Sequence, residues 1–224
     1  MWAACDAAKT FGFILYKIVT SAREQQRACV NIPLCLTLSR IFLGPLFVAL
    51  YIYHMDFGVS MEVLPYILLG LVLISEMSDV LDGFLARKYG KVTDLGKILD
   101  PAADSIFRLS ILFAFTQGVL QLPLLLVIVF FYRDAIISAL RTLCALRGFA
   151  LAARVSGKIK AILLATLVFS ILILMIPYSL GVLSLSTFRL ISLWAVSLSA
   201  IYVAYTGWEY IYVNRHYIRK AFGF

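Results

Sequence analysis

The chain has 224 residues, of which 62% are hydrophobic and 14% charged, with a mean hydropathy of +0.95. That balance excludes a soluble domain, because several apolar stretches reach the length needed to cross a bilayer. The net charge of +8 is scattered over membrane loops, which argues against nucleic acid as a partner and for anionic lipid headgroups and phosphorylated substrates.

Residues 1–30 precede the first long apolar run. Phe11 to Val19 is apolar apart from Lys17, is too short to span, and has neither the basic start nor the small-residue cleavage site of a signal peptide. An amphipathic helix lying at the membrane interface is expected there. Residues 31–224 read as a single all-α membrane domain with no internal repeat or low-complexity tract. Hydropathy predicts six transmembrane helices, at 34–54, 60–81, 97–117, 121–143, 160–180 and 187–211. Lys and Arg are retained on the cytoplasmic side of such helices. Basic residues precede the first span (Lys9, Lys17, Arg23, Arg27) and flank the second-to-third connection (Arg87, Lys88, Lys91, Lys97). They also occupy the fourth-to-fifth connection (Arg147, Arg154, Lys158, Lys160) and the C-terminus (Arg215, Arg219, Lys220), while the other three connections have none. Both termini are therefore expected in the cytoplasm. Cys5, Cys29, Cys35 and Cys144 show no metal-binding spacing and read as reduced, inert thiols. His54 and His216 fall on opposite sides of the membrane and cannot form one site.

Six of the twelve acidic residues lie between Glu76 and Asp104, in the run that joins the second and third spans. Carboxylates are costly beside a bilayer, so this clustering marks a functional site with a compensating cation. In a helix, Asp79 and Asp82 are three positions apart and Asp100 and Asp104 four, so each pair projects from one face. The short connection brings the two pairs together at the cytoplasmic surface. Four neighbouring carboxylates stay ionised only with cations among them. Oxygen ligands without His or Cys favour Mg²⁺ or Mn²⁺, and a substrate phosphate completes the coordination. Two such ions would clamp a displacement at phosphorus. Gly83 and Gly96 allow close approach of a ligand or backbone, and Arg87 offers a cation to a phosphate.

The pattern Asp79-x-x-Asp82-Gly83-x-x-Ala86-Arg87, eight residues, then Gly96-x-x-x-Asp100-x-x-x-Asp104 resembles the complete signature of the CDP-alcohol phosphotransferase family. The resemblance implies six transmembrane helices with the signature on the second and third. It implies that Asp79, Asp82 and Asp100 hold two divalent ions to which Asp104 also contributes, and that Asp104 is the general base. It further implies that Gly83 lies against the cytidine nucleotide, that Ala86, Arg87 and Gly96 belong to the nucleotide site, and that the protein is a homodimer of the cell inner membrane. The flanking NIPLCLTLSRIFLGP, TDLGKILDPAADS, YRDAIISALR and VSGKIKA resemble the branch of the family that transfers a phosphatidyl group from CDP-diacylglycerol to sn-glycerol 3-phosphate. Two positions depart from that branch: Ser105 stands where a Lys follows the fourth aspartate, and Arg133-Asp134 where Arg-Glu is usual. Arg108, one turn beyond Asp104, either replaces the missing cation or changes the acceptor.

The acceptor needs its own recognition. Arg133, Arg141, Lys158 and Lys160 flank the fourth-to-fifth connection on the ladder's side, and fixed cations suit a phosphate monoester. For Arg133, well inside an apolar span, a functional role outweighs simple topology, since buried arginine is costly. Arg40 either approaches the nucleotide or reaches back to the interface; Glu76 is either a partner of the ladder or a hydrated helix-end carboxylate. Trp194, Trp208 and the C-terminal tyrosines read as interfacial anchors. Three other readings compete: the same chemistry with inositol phosphate as acceptor, a cation transporter, and a non-catalytic binding subunit. A transporter predicts acidic groups toward the bilayer midplane, whereas these sit near one interface beside Arg and Lys.

Overall fold

A computed structural model describes residues 39–88, 94–147 and 155–222, without the side chains of 79–88, 94–101, 145 and 219–222. The expected interfacial helix within residues 1–30 lies outside the described residues. Six helices are described, with no strand among the described residues. They are α1 (Ser39–Tyr53), α2 (Leu64–Lys88), α3 (Asp94–Ala114), α4 (Leu124–Leu146), α5 (Val155–Ser179) and α6 (Leu185–Phe222).

Each helix overlaps one predicted span, and the differences lie at the ends. Helix α2 continues to Lys88 and α6 to Phe222, past the limits of 81 and 211 that hydropathy sets. Hydropathy reports where the apolar medium ends, while backbone hydrogen bonding carries a helix on into water. The three described connections are tight. Gly58 (φ 70°), Gly118 (φ 62°) and Gly181 (φ 73°) supply the left-handed backbone that turns each one. Gly118 is doubly constrained, because a Cβ there would sit 3.0 Å from the Tyr51 ring. Helix α6 opens on an N-cap, with the Ser184 hydroxyl accepting from the Thr187 amide at 3.2 Å.

A parallel seam joins α1 to α3. At Gly44 a Cβ would stand 3.0 Å from Ser110 Oγ and 3.8 Å from Phe107 Cα, so the two backbones approach closely. One and two turns on, Phe47 and Tyr51 meet Phe115 edge-to-face at 6.1 and 5.4 Å. The seam closes where the Tyr51 hydroxyl accepts from the Leu120 amide at 3.2 Å. Helix α6 packs on both α4 and α5, and α5 also packs on α2 and α3. Helices α1 and α3 run side by side in the same direction along this seam.

The outside is as apolar as the inside. Along α6, Trp194, Leu198, Ile201, Tyr205 and Trp208 are exposed, while Val196, Ala200, Val203 and Thr206 are buried. A helix apolar on both faces belongs in lipid. Two helices, Val155–Ser179 and Leu185–Ile218, are long and apolar enough to cross a bilayer; the apolar stretches Ser39–Tyr53 and Leu64–Ser78 are shorter. In α3 and α4 the apolar run is interrupted by Asp104 and Arg108 and by Arg133, Asp134 and Arg141.

Candidate active site

The signature sits on helical backbone. Asp79, Asp82, Gly83, Ala86 and Arg87 belong to α2, and Gly96, Asp100 and Asp104 to α3. The helical spacing expected of the two aspartate pairs is therefore observed in the backbone. The side chains of Asp79, Asp82, Gly83, Ala86, Arg87, Gly96 and Asp100 lie outside the described residues, so the geometry of the site is read from Asp104 and its neighbours.

Two ion pairs tie this region together. Arg108 Nη2 donates to both Glu76 oxygens, at 3.0 and 3.3 Å. Glu76 is one turn before Asp79 on α2 and Arg108 one turn after Asp104 on α3. Their contact links α2 to α3 one turn away from the positions of Asp79 and Asp104. The second pair comes from α1. Arg40 is fully buried, and its Nη1 donates to Oδ1 of Asp104, which is partly exposed.

These contacts revise two sequence expectations. Asp104 is met by Arg40, and Arg108 is engaged by Glu76. Glu76 in turn is the partner of Arg108 and not simply a hydrated helix end. Sequence reasoning left Arg40 undecided because its partner is 64 positions away, beyond any local periodicity. The available signal was an arginine just inside an apolar run, which in lipid demands a carboxylate.

A second cluster joins α4 and α5. Lys160 Nζ donates to both Asp134 oxygens, at 2.7 and 2.6 Å, and Arg133 Nη1 donates to Asp134 Oδ1 at 3.0 Å. Two cations on one carboxylate leave an excess positive charge in a buried place. The Arg133 Nε is buried without a hydrogen-bond partner among the described residues, and the Arg133 stem lies against Gly207, where a Cβ would be 3.1 Å away. Of the four expected acceptor cations, Arg133 and Lys160 are thus brought together. Arg141 instead donates from Nε to the Tyr210 hydroxyl at 3.2 Å and lies over that ring, 5.3 Å from its centroid. Lys158 is exposed, and among the described residues no hydrogen bond or ion pair joins it to the Asp134 cluster.

The sequence profile described as CDP-alcohol phosphatidyltransferase matches residues 30–205. The CDP-diacylglycerol–glycerol-3-phosphate 3-phosphatidyltransferase of Bacillus subtilis is 33% identical over 190 residues, covering 82% of this chain and 95% of its own length. The protein of the same name from Rickettsia typhi is 29% identical over 84% of this chain and 98% of its own. A cardiolipin synthase (CMP-forming) of Streptomyces coelicolor is 39% identical, over 53% of this chain and 54% of its own.

Proposed function

The chain belongs to the CDP-alcohol phosphatidyltransferase family, and on that premise we propose that it transfers a phosphatidyl group from CDP-diacylglycerol to sn-glycerol 3-phosphate, giving phosphatidylglycerol phosphate and CMP. The observation that carries this reading is the full signature on the helical backbone of α2 and α3, two helices linked by the Glu76–Arg108 ion pair, with its last aspartate held by a buried arginine. The acceptor follows from relatives that carry the 3-phosphatidyltransferase name and align over nearly their whole length.

In this reading Asp79, Asp82, Asp100 and Asp104 hold two Mg²⁺ or Mn²⁺ ions, as an all-carboxylate donor set suits. Bound there, the ions would neutralise the donor pyrophosphate and stabilise the departing phosphate. The remaining work falls to the chain. Gly83, Ala86, Arg87 and Gly96 seat the cytidine nucleotide. Asp104 takes the proton from the 1-hydroxyl of the acceptor, whose oxygen forms a bond to the phosphorus that bears diacylglycerol. The bond from that phosphorus to the CMP oxygen breaks, and CMP leaves. Arg133 and Lys160 receive the acceptor phosphate, with Asp134 keeping the two cations together until it arrives. Lys158 and Arg141 supply outlying positive charge. The site faces the cytoplasm in the inner membrane, with both termini on that side, six crossings, an interfacial segment at residues 1–30 and a homodimeric assembly.

The test is an assay of full-length protein in detergent–lipid micelles with radiolabelled CDP-diacylglycerol and either Mg²⁺ or Mn²⁺. Glycerol 3-phosphate should support CMP release and formation of a lipid phosphomonoester, and chelation by EDTA should abolish both. Because Ser105 and Asp134 depart from the glycerol-3-phosphate pattern, and a cardiolipin synthase is among the relatives, inositol phosphate and phosphatidylglycerol are run as alternative acceptors. Faster turnover with either one would overturn the acceptor assignment. No CMP release with any of them would overturn the reading as a whole.

A further inference from the structure

Among the described residues two charged side chains are buried, Arg40 and Lys160. Lys160 is met by Asp134, outside the signature, whereas Arg40 is met by Asp104, its last aspartate. A guanidinium cannot shed its proton inside a protein, so burying one requires a fixed anion. The chain places this cation against the one signature carboxylate assigned to proton removal.

We propose that Arg40 is the positioning residue of Asp104: it anchors Oδ1 of the carboxylate and thereby fixes the direction in which the base presents itself to the acceptor hydroxyl. The proposal rests on the reading of Asp104 as general base. Arg40 touches no reacting atom in it and acts through its contact with Asp104. What makes the guanidinium a fixed donor is the α1–α3 seam. One turn after Arg40, Gly44 leaves no room between α1 and the Phe107–Ser110 stretch of α3. Further along, Phe47 and Tyr51 lock on Phe115, and Tyr51 is bonded to the Leu120 amide. Sliding α1 along α3, or rotating it, would break the seam at several points. The carboxylate is therefore held by a helix that carries none of the signature, independently of the ladder residues. A proton acceptor must be aimed to within a fraction of an ångström for such a transfer to be efficient, and a side chain on the third helix alone has two free torsions.

The experiment compares full-length Arg40→Gln, Arg40→Lys, Asp104→Asn and the Arg40→Gln/Asp104→Asn double variant. Turnover, both KM values, Mn²⁺ binding by electron paramagnetic resonance and CDP affinity are read for each. Arg40→Gln should lower kcat at least tenfold with both KM values within about twofold of wild type and with Mn²⁺ and CDP binding retained. In the Asp104→Asn background the same substitution should cost less than about threefold, because the group it positions is gone. Arg40→Lys keeps the charge but loses the planar fork, and should recover part of kcat. It also serves as the test if Arg40→Gln does not fold. Equal losses in both backgrounds would mean a merely structural brace, and a raised KM for CDP-diacylglycerol would mean direct contact with the donor; each overturns the proposal. So would a folded Arg40→Lys with wild-type kcat. If Asp104→Asn itself turns over at the wild-type rate, the base assignment fails and takes the proposal with it. If Asp104→Asn is slow and Arg40→Gln is not, only the positioning role fails.

Discussion

Asp104 stands at the meeting of two requirements, a ligand for cations on one side and a proton acceptor on the other. A buried guanidinium on α1 meets it, an anchor from a helix that carries none of the signature. That separation of duties gives an expected difference between aspartates. Asp104→Asn should lower turnover about 10²- to 10⁴-fold, the usual worth of a general base, while retaining most of the affinity for CDP in the presence of Mn²⁺. Asp79→Asn should lose both. Calorimetric titration of the two variants with CDP checks it, and equal loss of binding would count against Asp104 as the base. Asp104 and its spacing were legible in the chain because helical periodicity is local. Arg40 as its partner was not, and neither was Glu76 as the partner of Arg108, since both pairs depend on which helices come to lie side by side.

Between helices, the contact that matters most to the site is made by a residue without a side chain. Gly44 lets α1 descend onto α3, and a Cβ there would meet Ser110 Oγ at 3.0 Å. That hydroxyl is already bonded to the Ile106 carbonyl at 2.8 Å and can swing aside, but Ser110 Cβ at 3.3 Å cannot, so Gly44→Ala should be mildly destabilising. Gly44→Leu must push the helices apart and should cost about 1–3 kcal/mol, the range of an overpacked core. Thermal unfolding in detergent checks the stability, and a fall in kcat beyond that of Gly44→Ala would show Arg40 withdrawing from Asp104. The link between α4 and α5 is an ion pair, Lys160 with Asp134, whose carboxylate Arg133 shares. Both cations were identifiable as acceptor candidates from their place beside an apolar span. That Arg141 turns instead to Tyr210 on α6 was not, because the two are 69 positions apart and on helices that are not consecutive.

Over the whole molecule, the ladder and the basic residues gather at one end of the bundle and the three tight turns at Gly58, Gly118 and Gly181 at the other. A basic residue near the turn end, Arg189, is spent on structure, its Nε donating to the Val119 carbonyl at 2.8 Å and so tying α6 to the α3–α4 turn. The asymmetry supports the proposed orientation. Single cysteines at Asp56, in the α1–α2 turn, and at Arg215, near the end of α6, should therefore report opposite sides in a chain lacking its native cysteines. A membrane-impermeant maleimide should label Asp56→Cys in intact cells and Arg215→Cys only after lysis. Labelling of Arg215→Cys in intact cells would reverse the topology and remove the site from the cytoplasm.

Medium, helix number and the four aspartates follow from the order of residues, since hydropathy and helical spacing act over one or two dozen neighbours. How far α2 and α6 extend beyond the apolar limits depends on backbone hydrogen bonding, and that Arg40 meets Asp104 while Arg108 meets Glu76 depends on packing. Burial in a bundle forces each cation to the nearest available carboxylate, and which one is nearest is settled where α1 slides down α3, a contact between segments more than sixty residues apart.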